Sequence, residues 1–267
     1  MSELPFSATT PTHVGKVGLK ARDANALATY YRKLLGLEEI ANRDGAIVLG
    51  AAGRELLEIE AAPSAKPDDP RSAGLFHTAF LLPSRKELAR WVRHAGDNRM
   101  KLTGASDHLV SEALYLNDPE GNGIEIYADR PRESWARNRG DIAMATERLD
   151  MDGLLGELDG DAREYADAPE GTVIGHVHLR VGDPKAAEEW WHRELGFETM
   201  AKYGDAAVFL ASGGYHHHIG ANAWHSAGAG PRDPNRAGLA YVELVSRDHA
   251  PTTLSDPWGT EIRVVAG

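Results

Sequence analysis

Apolar residues alternate over residues 14–21, and the period then lengthens, with Leu27, Tyr30, Tyr31 and Leu34 recurring at helical spacing within 24–35. Asp23 occupies an N-cap position and Gly36 follows the last turn, so the pattern predicts a strand and then a helix capped at both ends. Residues 46–49 and 55–60 return to strand formers and complete a β-α-β-β-β unit, which closes in a linker rich in Pro, Ser and charge at 61–72. The order repeats from Leu75. A strand is predicted over 76–82 and a helix over 84–94, with Ser84 as its cap and Glu87 in the capping-box position.

That second unit ends in a hairpin. Residues 113–116 and 124–127 flank Asp118-Pro119-Glu120-Gly121-Asn122-Gly123, whose composition is that of a tight turn. Period two places Gly123, Glu125 and Tyr127 on one face and Ile124 and Ile126 on the other. Glu125 therefore lies either on a solvated edge or in the interior opposite a positive partner, because a carboxylate buried alone is too costly.

A third unit starts at Thr172, and its landmarks reproduce those of the first 160 positions later: Asp23 and Asp183, Gly36 and Gly196, Gly53 and Gly213. The fourth starts like the second at an offset of 162, which sets Leu239 opposite His77, but rejoins it at Asp256-Pro257-Trp258-Gly259 with an offset of 138. The shortfall, 162 less 138, predicts that a helix and its turns are missing. The boundaries expected are a first domain at 8–132 (modules 10–62 and 74–132), an acidic connector at 133–170, and a second domain at 171–267 (modules 171–225 and 237–267).

In this alignment the inward positions of the first strands are Lys16, His77, His176 and Leu239, and those of the last strands are Glu58, Glu125, His218 and Arg263. Either histidine, taken singly, reads more readily as a core or strand-edge residue. Together, at matched repeat positions and opposite a carboxylate, His77, His176 and Glu125 have the composition of a facial triad for Fe(II), Mn(II) or another divalent ion. Units one and four offer no such set, and Lys16 with Glu58 is expected to form an ion pair.

Composition narrows the choices. The chain has 267 residues, 42% of them hydrophobic, enough for a sizeable core in one large or two ordinary domains. A formal net charge of -11 with interspersed signs argues against a nucleic-acid surface, which needs clustered Lys and Arg. No apolar run approaches the ~20 residues that cross a bilayer, and the opening MSELPFSATTPTH has no basic segment followed by an apolar one, so a cytoplasmic protein without membrane contact is expected. The absence of cysteine excludes disulfides, thiolate nucleophiles and sulfur-ligated metals, leaving nitrogen and oxygen ligands, with 12 histidines to draw on.

The segments GHVHLRV, LFHTAFLLP, DHLVSEALYLNDPEGNGIEIYADRP and GGYHHHIGANAW resemble the vicinal oxygen chelate superfamily, and within it the ring-cleaving extradiol dioxygenases of the catechol 2,3-dioxygenase type. The likeness spans nearly the whole chain. It implies an α+β fold of four β-α-β-β-β modules, the fourth truncated, forming two open barrels. It also implies that His77, Glu125 and His176 are metal ligands, with Fe(II) the expected ion and Mn(II) or another divalent metal the alternative. A small aromatic diol and O2 would be the partners, and a homo-oligomer is left open.

The family's acid–base histidine sits in a His-x-aliphatic-small pattern that selects His217 from His217-His218-Ile219-Gly220, whereas the internal repeat selects His218; both are candidates. Tyr115 matches the tyrosine that contacts the substrate, against the alternative of a core aromatic. His108 lies near the family's polar substrate-binding residues, against the alternative of a solvated loop residue. Because unit four carries Leu239 and Arg263 where ligands would be needed, units two and three are expected to share the metal-bearing barrel and units one and four the other. The rival readings are a glyoxalase-like metal-dependent isomerase or lyase, which a fourth ligand such as His218 would favour, and a metal-free module that binds an aromatic compound.

Overall fold

The computed structural model describes residues 4–138 and 140–267; residues 1–3 of the opening stretch and Arg139 of the connector lie outside it. Module one comprises β1 (Thr12–Ala21), α1 (Ala24–Leu35), β2 (Glu38–Arg43), β3 (Ala46–Ala51) and β4 (Arg54–Ala61). Module two comprises β5 (Gly74–Leu81), α2 (Arg85–Asp97), β6 (Gly104–Asp107), β7 (Ser111–Asn117) and β8 (Gly123–Asp129). The connector forms a small ladder of β9 (Arg137–Asn138) and β10 (Asp141–Ile142) and the short α3 (Met151–Gly156). Module three has β11 (Val173–Arg180), α4 (Pro184–Leu195), β12 (Glu198–Tyr203), β13 (Ala207–Ala211) and β14 (Ile219–Asn222), and module four has only β15 (Gly238–Ser246), β16 (Thr252–Ser255) and β17 (Glu261–Ala266).

The helix signals act where the sequence places them. Asp23 accepts from the Ala26 N–H at 3.0 Å, Ser84 from Glu87 at 3.2 Å and Asp183 from Lys185 at 2.9 Å. Gly36 and Gly196 close α1 and α4 at φ 66° and 62°, the left-handed conformation in which a Cβ is strained. Hydrophobic alternation passes over β2, whose residues are nearly all polar or partly exposed and which is held by pairing with β3.

Two sheets result. An eight-stranded sheet in the order β12-β13-β14-β11-β5-β8-β7-β6 joins module three to module two, and a seven-stranded sheet in the order β16-β17-β15-β1-β4-β3-β2 joins module four to module one. Each grows from a central antiparallel pair, β11 with β5 or β1 with β15, flanked on both sides by parallel neighbours. Module four lacks both the helix and a counterpart of β6, which explains its shortness. A continuous apolar core, anchored by Tyr31, Trp91 and Trp191, packs α1, α2 and α4 onto the sheets, and the indole N–H of Trp91 donates to the Leu34 carbonyl at 2.9 Å.

The register corrects the repeat alignment at two places. His178 stands opposite His77 and Gly18 opposite Tyr241, so the residue equivalent to His77 in module four is Tyr241, two positions beyond the expected Leu239. Likewise Gly18 pairs with Glu58 and His178 with Gly220, so Gly220 occupies the position expected for His218. A longer turn between β13 and β14, containing Gly213, Gly214 and the three consecutive histidines, shifts the last strand of module three by two residues. The positions in the seven-stranded sheet equivalent to His176, His77 and Glu125 are thus Lys16, Tyr241 and Arg263. Lys16 pairs with Glu55, Glu58 and Glu243 at 3.0, 3.4 and 3.7 Å, and the Arg263 guanidinium lies 3.5 Å above the Tyr241 ring, so amino-acid cations fill this region.

Candidate metal centre

His77 on β5, Glu125 on β8 and His176 on β11 come from three adjacent strands. Ala79 is the reason they meet: it pairs with Glu125 on one side and with His176 on the other, while His77 precedes it by two residues on the same face. The Nε2 atoms of His77 and His176 stand 3.3 Å apart, and Glu125 Oε2 lies 3.0 Å from the first and 3.2 Å from the second. Metal–ligand bonds of about 2.1 Å set neighbouring corners of an octahedron about 3.0 Å apart, so this triangle has the edge lengths of one octahedral face. Among the described residues it is the one group of this kind. The donor set of two imidazoles and a carboxylate, all buried, fits a divalent cation.

Electrostatics agree with the geometry. Burial by itself would raise the Glu125 carboxyl, but the His176 and His77 imidazoles outweigh it and hold the group well below the usual carboxylate range. Burial pushes His176 down to about 4, against the opposing pull of Glu125, and so keeps the ring neutral with a nitrogen lone pair for a metal.

Glycines make room around the triangle. Gly175 is skipped in the pairing of β11 with β5, and a Cβ there would lie 1.8 Å from the Tyr127 hydroxyl. That hydroxyl therefore reaches His176 Nδ1, at 3.2 Å, on the side of the ring away from the triangle. Gly123 lies opposite His77, where a Cβ would meet the Phe76 carbonyl oxygen at 2.1 Å.

The other candidates separate cleanly. His217 lines the same cavity, its ring 4.0 Å from that of His176, and burial followed by the nearby His176 and His216 holds its pKa well below the ordinary 6.5. His218 faces the other way: its Nε2 lies 3.1 Å from the Ser7 carbonyl and 3.2 Å from the Thr10 hydroxyl, and its Nδ1 accepts from the Ser212 N–H at 3.3 Å. It fastens the N-terminal segment to the sheet. Tyr115 and His108 both line the cavity and are joined to each other, with 2.6 Å between Tyr115 Oη and His108 Nε2. His108 Nδ1–H donates to the Ala145 carbonyl at 2.6 Å, so Nε2 accepts from the tyrosine.

The cavity holds about 280 Å³, and its wall is apolar and aromatic, with Phe76, Val110, Met144, Tyr203, Phe209 and Trp224 around the polar floor. Sequence reasoning missed several of its members. Met144 and Thr146 come from the connector, which is a wall of the site as well as a crossover. His178 shares the face of His176, a placement that alternation within GHVHLRV already carries, and its Nε2 has no hydrogen-bond partner among the described residues. Of the polar surroundings of His176 and His217, Tyr127 lies on the Glu125 face that alternation in the hairpin already gave and Asp129 continues it, whereas Tyr215 and His216 gave no signal of spacing.

Comparison with known proteins settles the family. The profile of the Glyoxalase/Bleomycin resistance protein/Dioxygenase superfamily matches residues 13–126 and 173–259. The chain belongs to this superfamily. Within it, the chain is 44% identical over 242 residues to a Bacillus subtilis (strain 168) protein named catechol-2,3-dioxygenase, an alignment covering 88% of this chain and 82% of that protein. A shorter stretch of 68 residues is 34% identical to biphenyl-2,3-diol 1,2-dioxygenase 3 of Rhodococcus globerulus, covering 24% of this chain and 36% of that one. Among solved structures, glyoxalase I from Zea mays superposes with a TM-score of 0.58 at 14% identity, covering 98% of this chain and 94% of that chain, which shows a shared fold. The curled sheets observed here are the half-barrels of that fold.

Proposed function

We propose that this chain is a metal-dependent extradiol dioxygenase that cleaves a catechol-type ring, with Fe(II) bound by His77, Glu125 and His176. The observation that carries the reading is the triangle of donor atoms, 3.0–3.3 Å on an edge, at the floor of an aromatic cavity. The relative named catechol-2,3-dioxygenase supports the reaction class. Fe(II) would supply open coordination positions for two vicinal ring oxygens and dioxygen, and a path for electrons between them.

The protein's own groups would do the rest. His217, held neutral beside His176, would take the proton of a diol hydroxyl and return it as the ring opens. Tyr115 and His108 form a hydrogen-bonded pair at the cavity wall that can meet charge developing on the oxygenated substrate. Among the described residues no Lys or Arg lines the cavity, so catechols with neutral, apolar ring substituents fit it better than carboxylated ones. His218 points away from the triangle, so it does not supply the fourth ligand on which an isomerase reading would draw.

The test is anaerobic loading with Fe(II), addition of catechol or a methylcatechol, and admission of oxygen, with O2 uptake and a yellow ring-cleavage product followed together. Both signals, lost in His77→Ala and His176→Ala, are the expected result. Metal binding without either signal across several catechols would transfer the reading to an isomerase or lyase, and failure to bind metal to a binding module.

A further inference from the structure

Behind the cavity, one carboxylate stands at the junction of two hydrogen-bond chains. Asp129 Oδ1 lies 2.9 Å from His216 Nε2 and accepts the Tyr215 hydroxyl proton at 3.2 Å. Along the first chain, His216 Nδ1 is 2.8 Å from His217 Nδ1. Along the second, Tyr215 Oη is 2.8 Å from Tyr127 Oη, which is 3.2 Å from His176 Nδ1. His216, Tyr127 and Tyr215 are fully buried, so each must find its partners within this network.

We infer that Asp129 is a positioning residue that fixes which ring nitrogen carries the proton in both His217 and His176, and so presents both imidazoles to the cavity with Nε2 bare. The assignment follows from counting protons and rests on the reading of His176 as a ligand and His217 as the acid–base group. A carboxylate only accepts, so His216 Nε2 and Tyr215 Oη are the donors to it. With the one ring hydrogen of His216 given to Asp129 from Nε2, its Nδ1 offers a lone pair, and the 2.8 Å contact then puts the hydrogen on His217 Nδ1. His217 Nε2 is left with its lone pair, the form a general base needs. On the other chain, Tyr215 has spent its one hydrogen on Asp129, so Tyr127 donates to Tyr215, and the Tyr127 oxygen accepts from His176 Nδ1–H. His176 Nε2 is then the bare nitrogen facing Glu125 and His77. The logic is that of a carboxylate orienting a catalytic imidazole, here applied to two imidazoles at once.

The deciding measurement is a two-bond proton–nitrogen correlation spectrum of the full-length protein with ¹⁵N-labelled histidine, taken without substrate and with Zn(II) as a diamagnetic occupant. The expected result is His217 protonated on Nδ1 and bare on Nε2. Asp129→Ala should scramble that signature and weaken Zn(II) binding by about 10–100-fold. Tyr215→Phe should weaken Zn(II) binding while leaving the His217 signature intact, and His216→Phe should do the reverse. A His217 protonated on Nε2 in the unaltered protein overturns the inference without any variant having to fold, as does an Asp129→Ala protein in which signature and affinity are both unchanged. Neither readout involves ring cleavage, so the inference and the dioxygenase reading can fail separately.

Discussion

His176 and Glu125, 51 residues apart in the chain, are held 3.2 Å apart because both stand directly across from Ala79 on neighbouring strands. The methyl of Ala79 is the smallest floor that a chiral residue can give such a row, and it is fully buried. Replacing it therefore tests whether the triangle needs that space.

Ala79→Leu should fill the floor of the site. The expected outcome is metal content far below that of the unaltered protein, read by elemental analysis after loading and desalting, with a loss of about 1–3 kcal/mol in stability from overpacking. Full metal content in a folded variant would contradict the shared-row account.

Gly175→Ala should drive a methyl into the Tyr127 hydroxyl, since the Cβ position lies 1.8 Å from that oxygen. Stability should fall by about 1–3 kcal/mol, and metal affinity by about 10–100-fold as the contact to His176 is lost. Adding Tyr127→Phe should restore part of the stability but none of the affinity. Urea unfolding and metal titration of the two variants separate these effects.

Acid should weaken the fold through His218. Burial pushes its pKa down to about 3, from 6.5 in the unfolded chain. The unfolded state therefore binds the extra proton first. The contribution is intact above about pH 6.5 and is lost progressively as the pH falls toward the folded value. Between pH 6 and 4, His218→Asn should show a stability-versus-pH slope smaller by about 1.4 kcal/mol per unit than the unaltered protein. Chemical denaturation at several pH values measures this slope; parallel curves would count against it.

Trp224 is 42% exposed at the cavity wall, 5.1 Å from the Phe76 ring and 5.4 Å from the His178 ring. Trp224→Ala should raise KM for alkyl-substituted catechols by about 10-fold with a smaller change for catechol itself, because one apolar group in a pocket is worth about 1–3 kcal/mol. Steady-state kinetics on both substrates, with thermal unfolding as a control, decide this.

Much of the molecule could be read in the chain because its signals are local. Alternation, the caps Asp23, Ser84 and Asp183, and the glycines that end two helices determine the elements within a few residues. The internal repeat then set His77, His176 and Glu125 apart from the other polar residues. The same repeat misassigned Leu239 and His218. A strand shifted by two residues keeps its alternation, so periodicity does not register the longer β13–β14 turn or the true position of Tyr241. Those are properties of hydrogen-bonded pairing between distant strands.

By itself, the sequence determined the four β-α-β-β-β units, the truncation of the last, and the residue types available to hold a divalent metal. Tertiary structure alone decided that Ala79 sits between Glu125 and His176, that His217 enters the cavity while His218 leaves it, and that Asp129 lies behind both imidazoles. The division has a physical cause. Propensity and capping act over a few residues, whereas the aim of a side chain is set by partners brought from Asp129 to His216 or from Ala145 to His108, and local pattern does not record them.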